Sequence, residues 1–331
     1  MTRLGRALGV LAAVALLAGT ASGCVTVHGE LEVVPAVGQD EAERTLAEFV
    51  EAYNAADKAY DPALDAHRVT GSLGAIRQAG LKARSVTHPQ GNPKYRPLEL
   101  TDARFLIPKK AGWPRWFVAD TDSNRDADDG GAGDNRWLLV FIRNGSDQLW
   151  EASHLTILGE KDVPAFRTGA DGFAEPVTES RIEGISEAYA SFLKTGKPGT
   201  FLPGPHTTAL REERAKIANR PGLAIQYVDQ PLDTGTFRPL GLVTEDGGAL
   251  VFFATRYHER RTAAQGYRPK VSDNEKPLLT GEVRNTVTKE WVLSAAAVAG
   301  PAEDGTDGKA GDAGRMAVVN RFQGVTALTG S

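Results

Sequence analysis

From Asp40 the apolar positions recur at helical spacing, with Leu46, Phe49, Val50 and Tyr53 falling on one stripe. Asp40 and Glu43 have the spacing of a capping box at its start, and Asp61-Pro62 is a stop. A second helical stretch, roughly 72–83, carries Leu73 and Ile76. From Leu98 the pattern changes to short β-branched and aromatic runs bounded by Gly, Asn and Asp. LELTDARFLI, WPRWFVA, RWLLVFIR and QLWEASHLTIL each predict a strand. The order then repeats. Ile182, Ile185, Tyr189 and Phe192 line another helix, Lys197-Pro198-Gly199 interrupts it, and a further helix covers roughly 207–218. LAIQYV, FRPLGLVT, ALVFFATRYHER, GEVRNTV and EWVLSAAAV follow as strands. Beyond Gly300 the Gly- and Asp-rich PAEDGTDGKAGDAGR predicts a mobile loop, and MAVVNRFQGVTAL after it is either a last strand or a tail.

Helices followed by antiparallel strands, twice over, predict the α+β class: two similar halves, each with helices packed on a curved antiparallel sheet. The 331 residues suit two cores, placed at 39–170 and 171–300, with a loop at 301–315 and the last strand or tail at 316–331. Leu46 matches Ile185 at a shift of 139, and Trp150 matches Trp291 at 141. LLVF at Leu138 matches ALVF at Ala249 at only 111, so one constant register fails unless loop lengths compensate. An internal duplication and two unrelated domains both remain open. In element order the chain resembles the cystatin-like and nuclear-transport-factor-2-like cones. That resemblance implies small hydrolases and isomerases as well as non-catalytic binding modules, so the fold by itself selects no function.

The segment ahead of Asp40 has a different character. Arg3 and Arg6 precede a thirteen-residue apolar run, Ala7 to Gly19. As a helix it would span about 20 Å, short of the roughly 30 Å of bilayer hydrocarbon, which is the layout of a secretory signal peptide. Ala21-Ser22-Gly23-Cys24 then resembles the lipobox of bacterial lipoproteins, and the chain as a whole resembles actinomycete lipoproteins that carry domains of unknown function. The resemblance implies removal of residues 1–23, a diacylglyceryl thioether on Cys24 and a tether over 24–38. It places the protein on the extracytoplasmic face of the cell membrane, held by its acyl chains. Cys24 is the single cysteine, which excludes an internal disulfide and a cysteine zinc site.

Composition narrows the partners. Lys plus Arg number 38 against 42 Asp plus Glu, a net charge of −4 that becomes −6 when Arg3 and Arg6 leave with the leader. With no basic excess to meet phosphates, nucleic acid is excluded as the main partner.

Several motifs offer chemistry. Asp120, Asp122, Asn124 and Asp126 alternate oxygen ligands as a calcium loop does, and Asp128, Asp129 and Asp134 follow. Arg125 and Gly131 stand where such a loop needs Gly and Glu, so an acidic hairpin loop is the competing reading. Trp113 and Trp116 belong to a group of four tryptophans within 38 residues, either core or an exposed platform for a glycan or partner. Asp61, Asp65 and His67 form a candidate acid/base set after the first helix. Ser191-x-x-Lys194, Lys194-Thr195-Gly196 and Ser272-Asp273-Asn274 imitate a penicillin-binding set, but one lysine would have to occupy two places. No phosphate loop, dinucleotide fingerprint or zincin motif occurs, and no cofactor is called for. The expectation is a non-catalytic binding or accessory module for an unidentified envelope protein or ligand. The alternative is a lipid-anchored hydrolase with its site in one cone. Convergent titratable groups in an enclosed pocket would favour the enzyme.

Overall fold

The computed structural model describes residues 32–126, 133–301 and 315–331, so the leader, the lipobox and most of the Gly/Asp-rich segment lie outside the described residues. The first half runs β1 (Val33–Pro35), α1 (Gln39–Ala59), α2 (Gly71–Thr87), β2 (Leu100–Leu106), β3 (Lys109–Ala111), β4 (Arg115–Ser123), β5 (Asn135–Arg143) and β6 (Glu151–Gly159). The second half opens with α3 (Glu179–Ile182), α4 (Ile185–Thr195) and α5 (Thr208–Ile217). Its strands are β7 (Asn219–Arg220), β8 (Leu223–Leu232), β9 (Leu240–Val243), β10 (Ala249–Ala263), β11 (Leu279–Gly281), β12 (Thr286–Ala299) and β13 (Met316–Gly330).

The helices follow from their stripes, with two corrections. α1 starts one residue early, with Gly38 as its N-cap. Asp40 is therefore a first-turn acid facing the positive end of the helix dipole rather than a cap. The helix expected through Ile182 and Phe192 is broken at Gly184, whose φ of +77° is left-handed, so α3 and α4 are separate.

The four strands β2-β4-β5-β6 form an antiparallel sheet in chain order. In the larger sheet β8-β10-β12-β13 are likewise antiparallel neighbours in chain order, with β7 and β11 at its edges and β9 beside β10. Each half is thus helices followed by a four-strand meander. This arrangement corrects the landmark pairs: Leu138 lies on the third strand of its meander and Ala249 on the second, while Trp150 precedes the fourth and Trp291 lies on the third. The register failed because those matches joined strands of different rank.

Helices and sheets stack in four layers. Leu46 and Phe49 of α1 and Leu73 of α2 pack on Phe117, Leu139 and Phe141, one face of the first sheet. The opposite face, with Trp116, Val118, Leu138 and Val140, packs on Leu242, Leu250 and Phe252 of the second sheet. The far face of that sheet, through Val251, Phe253 and Leu293, receives Ile185, Tyr189 and Phe192 of α4. The uninterrupted apolar run of β5 follows from this position, since Leu138 to Ile142 have no exposed surface on either side.

The segment after the Gly/Asp-rich stretch is the fifteen-residue strand β13, and it serves both halves. Met316 and Val318 enter the core beneath α4, whereas Phe322 packs into the core of the first half. Two bulges in its pairing with β12, near Trp291 and Ala297, let so long a strand bend between them.

Candidate functional site

A cavity of about 400 Å³ lies where α1, α2, β5 and β6 meet β13. Phe49 and Tyr53 come from α1, Trp137 and Leu139 from β5, Leu155 and Ile157 from β6, and Phe322, Gly324 and Val325 from β13. α2 supplies Leu73, Ile76, Arg77, Gly80 and Arg84. The side chain absent at Gly324 is a condition of this geometry, because a Cβ there would stand 2.6 Å from Cγ2 of Ile76.

Two guanidinium groups break the apolar wall, and their situations differ. Arg77 is buried and donates through Nε to the buried carboxylate of Asp65. It also donates through Nη2 to the Tyr53 carbonyl at 2.7 Å. Its Cζ sits 3.4 Å from the Tyr53 ring centroid, a cation held on an aromatic face. Gln78 Nε2 donates to the other Asp65 oxygen at 2.6 Å. Burial pushes the Asp65 carboxyl up, and Arg77 opposes that shift. Arg84 has no such carboxylate. Its Cζ lies 5.3 Å from the Tyr60 ring centroid, and its Nε is shielded from solvent with no hydrogen-bond partner.

The lining therefore contains two arginines and, among the described residues, no Asp, Glu, His, Ser, Thr or Cys. Such a wall is shaped to hold an apolar molecule, with Tyr53 and Gln323 as its uncharged polar residues. The sequence carried a signal for it. Leu73, Arg77, Gly80 and Arg84 stand at i, i+4, i+7 and i+11, which puts both arginines in the apolar stripe of α2. Reading α2 from Leu73 and Ile76 alone missed that.

The candidates named from sequence are dispersed. Asp120 is buried in β4 and its Oδ1 accepts from Arg136 Nε at 2.8 Å, while Arg136 also donates to Asp102 Oδ2 at 2.7 Å. Asp122 accepts from the Ser123 N–H at 2.7 Å and Asn124 Oδ1 from the Glu99 N–H at 3.1 Å. Asp126 Oδ2 accepts from the Asn135 N–H at 2.6 Å. These contacts hold the strands and loops together, Asp126 Oδ1 is left without a partner, and the described residues bring no three His, Cys, Asp or Glu side chains into a metal-holding group. Asp128 and Asp129 lie outside the described residues.

Trp113 and Trp116 do not form a common platform. Trp116 is buried between the sheets. Trp113 is 37% exposed, with Cζ of Arg115 at 4.8 Å and of Arg143 at 5.1 Å from its ring centroid. Asp61 caps the Ala63 N–H at 2.9 Å, Asp65 is committed to Arg77, and His67 is exposed, so no acid/base pair results. Ser272 donates to Glu275 at 2.8 Å and Asp273 pairs with Lys276, an ordinary turn.

The family model described as "Domain of unknown function (DUF8094)" matches residues 33–322, which takes in α1, α2, β5 and β6 of the cavity wall and β13 as far as Phe322. An uncharacterized lipoprotein of Streptomyces avermitilis is 48% identical, over 100% of this chain and 97% of its own length. An uncharacterized lipoprotein of Streptomyces coelicolor is 46% identical, over 99% of this chain and 96% of its own length. No solved structure matches the chain significantly. No helix among the described residues is long and apolar enough to cross a membrane.

Proposed function

The chain belongs to the DUF8094 family, and on that premise we propose that it is a lipid-anchored binding module of the cell envelope whose ligand occupies the cavity of the first half. The cavity carries the proposal: a space of about 400 Å³, apolar on most sides and with no Asp, Glu, His, Ser, Thr or Cys in its described lining, suits retention of a ligand over its conversion. The anchor is Cys24 at the end of the lipobox, in keeping with relatives named as lipoproteins along nearly their whole length. Two acyl chains there would hold the body on the extracytoplasmic face, where an acidic chain gains nothing from anionic lipid.

Anchoring is tested by fractionating cells that express the wild type or Cys24→Ser. The wild type is expected in the membrane pellet and the variant in the soluble fraction; equal membrane association of both would reject lipidation at Cys24. Ligand retention is tested on the full chain carrying Cys24→Ser, so that no acyl chain competes. A neutral apolar fluorophore, N-phenyl-1-naphthylamine, should bind saturably at one site. Ile76→Trp, which fills the cavity from α2, should weaken that binding by roughly tenfold or more, about 1.4 kcal/mol. Unchanged binding by a folded Ile76→Trp protein would place the site elsewhere.

A further inference from the structure

The charge around the cavity does not balance. Its wall carries two guanidinium groups and, among the described residues, no carboxylate. Arg77 is neutralised from behind by Asp65, which leaves Arg84 as a net positive charge beside apolar surface. Arg84 is half-buried, and its shielded Nε has lost water without gaining a hydrogen-bond partner, which is costly for a charged group. Two features account for part of its stability: the last turn of α2 favours a cation, and the Tyr60 ring offers a π face. Neither accepts a hydrogen bond from Nε, which is shielded from solvent and unpartnered. One turn earlier, Gly80 has no side chain to cover the guanidinium; a Cβ there would lie 3.4 Å from Nη2 of Arg84.

We infer that the ligand of this cavity is an anionic amphiphile, an apolar chain ending in a carboxylate or phosphate, with its head on Arg84 and its chain against Ile76, Leu155, Ile157 and Phe322. This rests on the cavity reading proposed above and adds the chemical class of the ligand. A planar guanidinium matches either oxyanion by paired donors, and Ile76, Leu155, Ile157 and Phe322 beyond it offer only apolar surface to the chain. A neutral apolar ligand would leave the Arg84 charge where it is now, whereas an anion removes the imbalance.

The test displaces N-phenyl-1-naphthylamine from the full chain carrying Cys24→Ser with laurate, lauryl phosphate, lauryl alcohol and inorganic phosphate. Laurate or lauryl phosphate is expected to act at a concentration roughly tenfold or more below that of lauryl alcohol, a factor that corresponds to about 1.4 kcal/mol. The order of the two anions tells which head is preferred. Arg84→Met, which keeps an unbranched apolar stem, should abolish the preference while leaving lauryl alcohol unchanged, and Arg84→Lys should retain part of it. Equal displacement by alcohol and anions in the wild-type cavity would overturn the inference yet leave the cavity reading standing, and needs no variant to interpret. Displacement by inorganic phosphate alone would replace the amphiphile with a free anion. Failure of every lauryl compound to displace a bound fluorophore would overturn the cavity reading itself.

Discussion

His154 shows what a single side chain inside the molecule costs. It lies on β6 with no exposed surface, its Nδ1 is 3.0 Å from the Ser153 hydroxyl, and its Nε2 has no partner. Burial alone lowers its pKa to about 4, from 6.5 when free. The folded protein therefore keeps the imidazole neutral between those values, while the unfolded chain takes up a proton. Above pH 6.5 both states are neutral and stability is unaffected. As the pH falls from 6.5 towards 4 the unfolded state binds more protons and stability declines, by about 3 kcal/mol in all. Denaturant titrations at pH 7.5, 6, 5 and 4 should show wild type losing this increment relative to His154→Gln, whose curve reports the carboxylates and the remaining histidines, His206 among them. Parallel curves for the two proteins would show that the imidazole is protonated in the fold. A buried charge costs less where a partner opposes it. Arg214 Nη1 donates to both oxygens of Asp229 at 3.0 and 2.8 Å between the rings of Tyr227 and Tyr257, while its Nη2 has no partner. Nothing in local sequence distinguishes Arg214 from its exposed neighbours on α5, because its partner comes from β8.

Among the elements, legibility tracks how local the determining contacts are. α5 was expected at roughly 207–218 and spans Thr208–Ile217, and the four strand segments of the first half each hold a strand. Periodicity reports which face of an element is buried, and it did so for Leu46 and Phe49. It does not report what covers that face. β5 reads as a strand from Leu138 to Ile142, but that it is sandwiched between helices and a second sheet depends on β10, over a hundred residues away. β13 is the extreme case. MAVVNRFQGVTAL alternates too weakly to reveal that Val318 enters one core and Phe322 another. Nor does the pattern single out Gly324, the position at which β13 closes against Ile76. The candidate site was legible only in part for the same reason. The arginines of α2 stand in the apolar stripe for any reader, while the cavity they face exists only once β13 has arrived from the other end of the chain.

The whole molecule follows from how its halves are joined. Two similar meanders would be independent if each covered its second sheet face with its own chain. Here those faces cover each other: Trp116, Val118 and Leu138 on one side meet Leu242, Leu250 and Phe252 on the other, all within 3% of complete burial. β13 adds a second link, hydrogen-bonded to β12 along its length while Asn320 Nδ2 donates to the Ile157 carbonyl of β6 at 2.8 Å. Unfolding either half alone would expose the apolar sheet face of the other and strip one side of its β13 contacts. The described residues from Val33 to Ser331 accordingly form one compact unit. Although chains of this size often unfold in steps, the prediction is one calorimetric transition, with van't Hoff and calorimetric enthalpies equal. Phe252→Ala removes a ring with no exposed surface from the shared core and should cost about 3–5 kcal/mol. Its effect should be to move the entire transition to lower temperature as a single peak. Two resolved peaks in the wild type, or a Phe252→Ala protein in which only one of two peaks moves, would show that the halves melt as separate domains.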